Sequence, residues 1–288
     1  MRRLLAVLLV IGAAAGVTVA LAQDPASRAA PSPALPAPNV ALPRSAVALA
    51  ETLTATTRRL RAALASWPAT EAVPRDVTLL ALHHQRMLRL MAASHALGDA
   101  TLARLPRDVL GEARDTVLGR RHLEAIPRDR SKIPRVRVAD AAPAADLRRH
   151  YAAAQRRFGV HWTVLASINF VESAFGRVRS ASEAGARGPM QFLPSTWRQY
   201  GMGGDIDEPR DAILAAANYL RSSGAPGALD RALFAYNHST SYVRAIRRFA
   251  ARMRADERAF RTYYAWQVFV RTATGSRRLT GPDRKRVR

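Results

Sequence analysis

The residue whose type and setting could do chemistry is Glu172, within VLASINFVESAFGRVRSASEAGARGPMQFLP at residues 164–194. Leu165, Ile168 and Val171 recur at helical spacing, and Glu172 shares nearly one face with Leu165 and Ile168. A carboxyl group therefore stands where the period calls for a buried residue. Gly176 follows four residues later, where helices commonly stop in a left-handed cap. This puts Glu172 in the last turn, at the negative end of the helix dipole and among apolar neighbours. Both effects disfavour a charged carboxylate and suit a proton donor working near neutral pH. A solvated surface Glu is the competing reading of the helix alone. The loop that follows favours chemistry: Gly185, Gly188 and Pro189 precede Met190, Gln191, Phe192, Leu193 and Pro194. Glycines permit close backbone approach, and Gln191 offers a donor and an acceptor to a polar ligand.

Three motifs in order resemble the lysozyme-like domain of bacterial lytic transglycosylases, over roughly residues 144–255. They are Glu172-Ser173; Ser182 ahead of Gly185-Ala-Arg-Gly-Pro-Met-Gln-Phe-Leu-Pro194; and Ala235-Tyr236-Asn237. The resemblance implies an all-α fold that cleaves the β-1,4 link between N-acetylmuramic acid (MurNAc) and N-acetylglucosamine (GlcNAc) in peptidoglycan. By the same resemblance Glu172 is the single acid/base, and Gln191 and Ser182 contact the sugar, with Ser173 the alternative serine. Met190 would shape the groove wall, and Tyr236 and Asn237 would line the site and help hold Glu172. Phe175-Gly176-Arg177 resembles the membrane-bound branch of these enzymes, and the Met-Gln pair the soluble branch.

Most glycosidases use two carboxylates; the resemblance implies one. Glu172 would protonate the glycosidic oxygen, the muramyl N-acetyl group would stabilise the cationic carbon, and the sugar's own O6 would close a 1,6-anhydro ring. Glu183, Asp205, Asp207, Glu208 and Asp211 are the nearby acids. One of them facing Glu172 would make a water-using muramidase the better reading. A non-catalytic wall-binding or scaffold protein is the alternative from another class. The Asp205–Asp211 run lacks the glycine spacing of a calcium loop, and no cofactor or metal site is expected.

Arg2 and Arg3 precede an apolar run from Leu4 to Ala22 ending Ala-Leu-Ala. This is the pattern of a signal peptide cut before Gln23, or of an uncleaved anchor. Either reading exports the chain to the periplasm or wall. Residues 23–43 hold six prolines and read as an extended linker. An N-terminal helical domain is expected over residues 44–127, with helices over Ser45–Trp67 and from near Pro74 and Pro106. Pro-Arg-Asp at 74–76, 106–108 and 209–211 reads as a helix start, proline needing no amide partner and Asp suiting the positive dipole end. The copy at 127–129 falls in a basic connector over 128–143. His83 and His84 are adjacent and lack the spacing of metal ligands on a helix.

The catalytic domain is expected over 144–270, with helices near 145–157, 162–174, 195–200, 209–222, 228–237, 240–254 and 256–271. Ser239 is the N-cap before Val243, Ile246 and Phe249. Phe260, Tyr263, Tyr264, Trp266 and Phe269 are read as packing residues more than as sugar platforms. The tail 271–288, with seven basic residues against Asp283, is expected to be disordered. The formal net charge of +23 comes almost entirely from arginine. With an export pattern, such charge suits anionic wall polymers or lipids and peptidoglycan itself, with no nucleic acid expected.

Overall fold

The computed structural model describes residues 34–127, 136–272 and 275–283. The apolar run at 4–22 and most of the proline-rich linker lie outside these residues, as do 128–135 of the basic connector. Among the described residues no helix is long and apolar enough to cross a membrane.

Helices α1 (Ala46–Ser66), α2 (Arg75–Ala93), α3 (His95–Leu102) and α4 (Arg107–Glu124) form the N-terminal part. Then come α5 (Ala144–Phe158), α6 (Trp162–Ser173), α7 (Pro194–Tyr200), α8 (Pro209–Ser222), α9 (Leu229–Tyr236), α10 (Thr240–Ala255) and α11 (Arg258–Tyr264). A short antiparallel hairpin, β1 (Phe269–Thr272) and β2 (Gly275–Arg278), closes the described chain. The fold is all-α, as its apolar spacing requires. The Pro-Arg-Asp triplets do start helices: Pro74 and Pro106 are the N-caps of α2 and α4, while Pro209 is the first residue of α8. Asp76 Oδ1 accepts the amide of Val77, satisfying one of the helix's orphan donors.

Two helical expectations are corrected. α3 is an additional helix, whose short apolar content, Leu97 and Leu102, gave too few turns to show a period. The last helix stops at Tyr264 rather than 271. Gln85 on α2 brackets the backbone of Gln267 on both sides, donating to its carbonyl at 2.8 Å and accepting its amide at 2.9 Å. The tail, expected to be disordered from Arg271, carries described structure at Arg271 and Thr272 and over residues 275–283. Leu279 N donates to Val268 O, and Arg278 is 6% exposed with Nη2 on the carbonyl of Pro282. Sequence periodicity reports apolar burial, and this hairpin is held by buried arginine and backbone pairing instead.

α6 is buried on nearly every side, from Trp162 through Asn169, which marks it as the central helix. α10 packs on both α6 and α4. Gly119 on α4 lets the Phe249 ring approach so closely that a Cβ there would lie 2.9 Å from it, and Thr116 shares a 2.7 Å hydrogen bond with Tyr263. The N-terminal helices and those of 144–264 thus share one compact unit, Leu35–Arg288.

His83 and His84 are core residues. His84 is 1% exposed, with Nε2 3.4 Å from Glu112, which also pairs with Arg61 at 2.9 Å. Burial, reinforced by Arg61 and opposed by Glu112, holds the His84 imidazole below its ordinary value of 6.5. Between that lowered value and 6.5 the unfolded chain binds more protons than the folded one. Stability is therefore whole above pH 6.5 and is lost on acidification. The expected result is a melting temperature that falls from pH 7 to pH 5, with a shallower fall in His84→Gln, read by circular dichroism.

Candidate functional site

Glu172 lies one residue before the end of α6 and is half-buried. The chain then turns through three successive left-handed residues, Ala174 (φ 51°), Phe175 (φ 64°) and Gly176 (φ 83°). The left-handed turn expected at Gly176 is there, but the helix ends at Ser173. Left-handed backbone costs about 1–2 kcal/mol for each non-glycine residue, so something must hold Ala174 and Phe175. Phe175 is 1% exposed and packs on Phe170, Phe260 and Tyr264, while Ser173 Oγ accepts the amide of Gly176 at 2.8 Å. The connector braces the outgoing strand: Val138 pairs with Val178, and Ala139 N donates to Arg177 O.

The carboxylate is held from α10. Tyr242 donates its hydroxyl to Glu172 Oε1 at 2.7 Å. Ser239 caps α10 as expected, its Oγ accepting the amide of Tyr242, and so fixes Tyr242 in the first turn. Burial, then the charge of Glu172, raises the Tyr242 phenol well above its usual range, and the same two causes act on Tyr236. Both tyrosines are therefore neutral O–H donors at any physiological pH.

The glycine loop forms a tight bend closed by reciprocal hydrogen bonds between Arg187 and Phe192 (2.8 and 2.9 Å). Gly188 (φ 74°) and Gln191 (φ 51°) are both left-handed. Two consecutive carbonyls pin it. Pro189 O accepts from Asn169 Nδ2 at 2.7 Å and from Ser173 Oγ at 2.5 Å, and Met190 O accepts from the Tyr236 hydroxyl at 2.6 Å. Asn169 is fully buried and is itself oriented by Tyr151, whose hydroxyl donates to Oδ1 at 2.5 Å. The order Tyr151, Asn169, Pro189 fixes the loop to the same helix that carries the acid.

Ser173, the alternative sugar-contacting serine, and Met190, expected at the groove wall, are both buried. Ser173 is 1% exposed, its hydroxyl donating to Pro189 O and accepting the amide of Gly176, and so holds the turn. Met190 is fully buried in the core, and what it offers the site is its carbonyl. Ser182 is exposed, its Oγ accepting the amide of Ala186. Gln191 is half-buried, Nε2 donating to Gly188 O at 3.0 Å. Asn237 caps the end of α9, half-buried beside Tyr236. Tyr242, Asn169 and Tyr151 escaped the sequence reading. The available signals were a tyrosine three residues after a strong N-cap and a lone amide in the apolar run of α6.

The acids expected as rivals are occupied by the loop after α7. Asp207 pairs with Arg187 at 2.9 Å, Asp205 Oδ1 accepts the amide of Asp207, and Asp211 Oδ2 accepts that of Asp205. Asp205, Asp207, Glu208 and Glu183 are all exposed.

Residues 150–258 match the family model of the transglycosylase SLT domain. A protein named membrane-bound lytic murein transglycosylase F, from Thiobacillus denitrificans (strain ATCC 25259 / T1), is 34% identical over 113 residues, covering 36% of this chain and 24% of that protein. The chain thus spans about a quarter of the length of that relative. No solved structure matches it. The matched segment runs from α5 to the start of α11 and contains Glu172, the glycine loop, Tyr236 and Tyr242.

Proposed function

We propose that this chain, whose residues 150–258 form a lysozyme-like transglycosylase SLT domain, is an exported lytic transglycosylase. It cleaves the MurNAc-β-1,4-GlcNAc bond of peptidoglycan, with Glu172 as sole acid and base. The observation that carries this reading is a half-buried carboxyl gripped at 2.7 Å by a phenol that stays protonated. In the first step the Glu172 carboxyl gives its proton to the glycosidic oxygen as the C1–O bond breaks. The N-acetyl carbonyl oxygen of the muramyl residue bonds to C1, taking up the positive charge as an oxazolinium. The Glu172 carboxylate, its charge met by the Tyr242 O–H, then removes the proton from the O6 hydroxyl. That oxygen displaces the acetamido oxygen at C1, giving the 1,6-anhydro product and restoring the acid.

Tyr242 needs no proton transfer of its own; it is a fixed donor toward the charge that develops on Glu172. The involvement of Asp205, Asp207 and Asp211 with backbone amides and Arg187 supports a single-carboxylate route over one with an activated water. Gln191, Ser182, Tyr236 and Asn237 are the proposed substrate contacts. The apolar run at 4–22 behind Arg2 and Arg3 supports an extracytoplasmic location. The arginine-rich surface suits anionic wall polymers as secondary partners.

Mass spectrometry of muropeptides released from purified sacculi tests the reaction. Products lighter by one water than hydrolytic ones are expected, and exclusively hydrated products would assign a muramidase instead. Tyr242→Phe is expected to lower kcat about 10-fold or more, as loss of a charge-assisted donor does, with KM little changed. A KM effect with kcat preserved would remove Tyr242 from the reaction.

A further inference from the structure

Among the described residues one phenylalanine, tyrosine or tryptophan is exposed, Phe234 at 42%; all the others are buried or half-buried. α9 buries Ala232 and Leu233 and turns Phe234 outward. A single apolar side chain at a surface is ordinary, but Phe234 does not stand alone. The exposed imidazole of His238 meets it edge to face, ring centroids 5.7 Å apart and planes at 71°.

Between these two rings in sequence lie Tyr236 and Asn237, both proposed above to contact substrate. After burial, the charge of Glu172 is the next cause that raises the Tyr236 phenol, so those two side chains are near neighbours. Tyr242, whose hydroxyl holds Glu172 at 2.7 Å, follows four residues after His238. Successive Cα atoms are about 3.8 Å apart, so Phe234 and His238 each lie within two such steps of Tyr236. The exposed aromatic corner therefore adjoins the end of the site that Tyr236 and Asn237 form.

A pyranose ring carries C–H bonds on its faces and hydroxyl and acetamido groups around its edge. Its C–H face suits the electron-rich face of an aromatic ring, and an imidazole offers a donor and an acceptor to its edge. Two side chains match one sugar ring. They are far too small a surface for a stable protein partner, which needs about 20–30 residues a side. We propose that Phe234 and His238 form a platform for a sugar ring of the peptidoglycan strand beyond the pair that flanks the scissile bond. This rests on the reading of the Glu172 site as a glycan groove. Such a platform binds the strand equally before and during bond cleavage, so it sets preference for strand length through KM and leaves kcat alone.

Binding is measured in the full chain carrying Glu172→Gln, so that no cleavage intervenes. The ligands are a peptide-free octasaccharide of alternating GlcNAc and MurNAc, followed by titration calorimetry, and the MurNAc–GlcNAc disaccharide, followed by ligand-observed NMR. Adding Phe234→Ala is expected to weaken octasaccharide binding about 5- to 10-fold, the worth of an aromatic face contact, and to leave the disaccharide unchanged. His238→Ala should cost about 3-fold on the octasaccharide, as loss of one hydrogen bond does. Phe234→Tyr keeps the ring and should bind as the parent does. Val47→Ala removes an apolar side chain that is 54% exposed on α1 and should change neither ligand. Octasaccharide affinity unaltered by Phe234→Ala overturns the platform, as does an equal loss for both ligands, a loss as large in Val47→Ala, or no octasaccharide binding at all. Binding that depends on Phe234, together with no cleavage of the same octasaccharide by the unsubstituted chain, would overturn the proposed reaction and keep the platform.

Discussion

Glu172→Gln is expected to lower release of muropeptides from sacculi by about 10²–10⁴-fold, the usual contribution of a positioned general acid. The amide is nearly isosteric and its oxygen can still accept the Tyr242 hydroxyl that meets Oε1 at 2.7 Å. What it lacks is a proton to give to the glycosidic oxygen and a basic oxygen to take one from O6. Both halves of the proposed reaction fail together. Folding should be unaffected, because the turn beyond the acid is held by Phe175 and Ser173, not by the carboxylate. The measurement pairs product mass spectrometry with a melting curve. Activity within tenfold of wild type at unchanged stability would mean another group supplies the proton. Binding to sacculi should persist, since the loop carbonyls at Pro189 and Met190 keep their anchors.

The acid and the glycine loop were legible because each breaks a local rule. Glu172 is a carboxyl on an apolar helical face, and the 185–194 stretch packs glycine and proline around one polar side chain. The helix register was legible for the same reason the core is: α5, α8 and α10 each bury one stripe, and Pro209 and Ser239 mark the starts of the last two. The residues that went unread act through single long-range contacts. Tyr242 reads as one more apolar position of α10, and only the crossing of α10 over α6 brings its hydroxyl to Glu172, 70 residues away in sequence. Ser173 and Met190 show the converse. Their place in a motif does not say through which atoms they act: Ser173 Oγ holds the turn at Gly176, and Met190 meets Tyr236 through its carbonyl. The hairpin at 269–278 was unreadable because four-residue strands carry too few alternations to register, and arginine replaces the apolar residue that would have marked its inner face.

The glycine loop offers the second large effect, and it is one of backbone alone. A Cβ on Gly188 would lie 1.9 Å from the carbonyl oxygen of Ile206 and 2.9 Å from its carbon, at a φ of 74°. Both partners are main chain, so no side-chain rotation relieves the overlap. Gly188→Ala must push the 187–192 bend away from the 205–208 segment or pull that segment with it, breaking the 2.9 Å Arg187–Asp207 pair on the way. Pro189 and Met190 follow directly, and their carbonyls tie the loop to α6 and α9. A shift of about 1 Å at reacting groups costs about 100-fold in rate, and that is the loss expected in muropeptide release. Gly185→Ala supplies the control. It has nearly the same left-handed φ, 79°, but nothing within 4 Å of the added carbon. It should bear only the conformational cost, about 1–2 kcal/mol, with most activity retained. Equal activity in the two alanine variants would mean that the close approach to Ile206 does not set the geometry of the site; a wide gap between them would show that the bend works by contact across the loop and not by glycine's freedom alone.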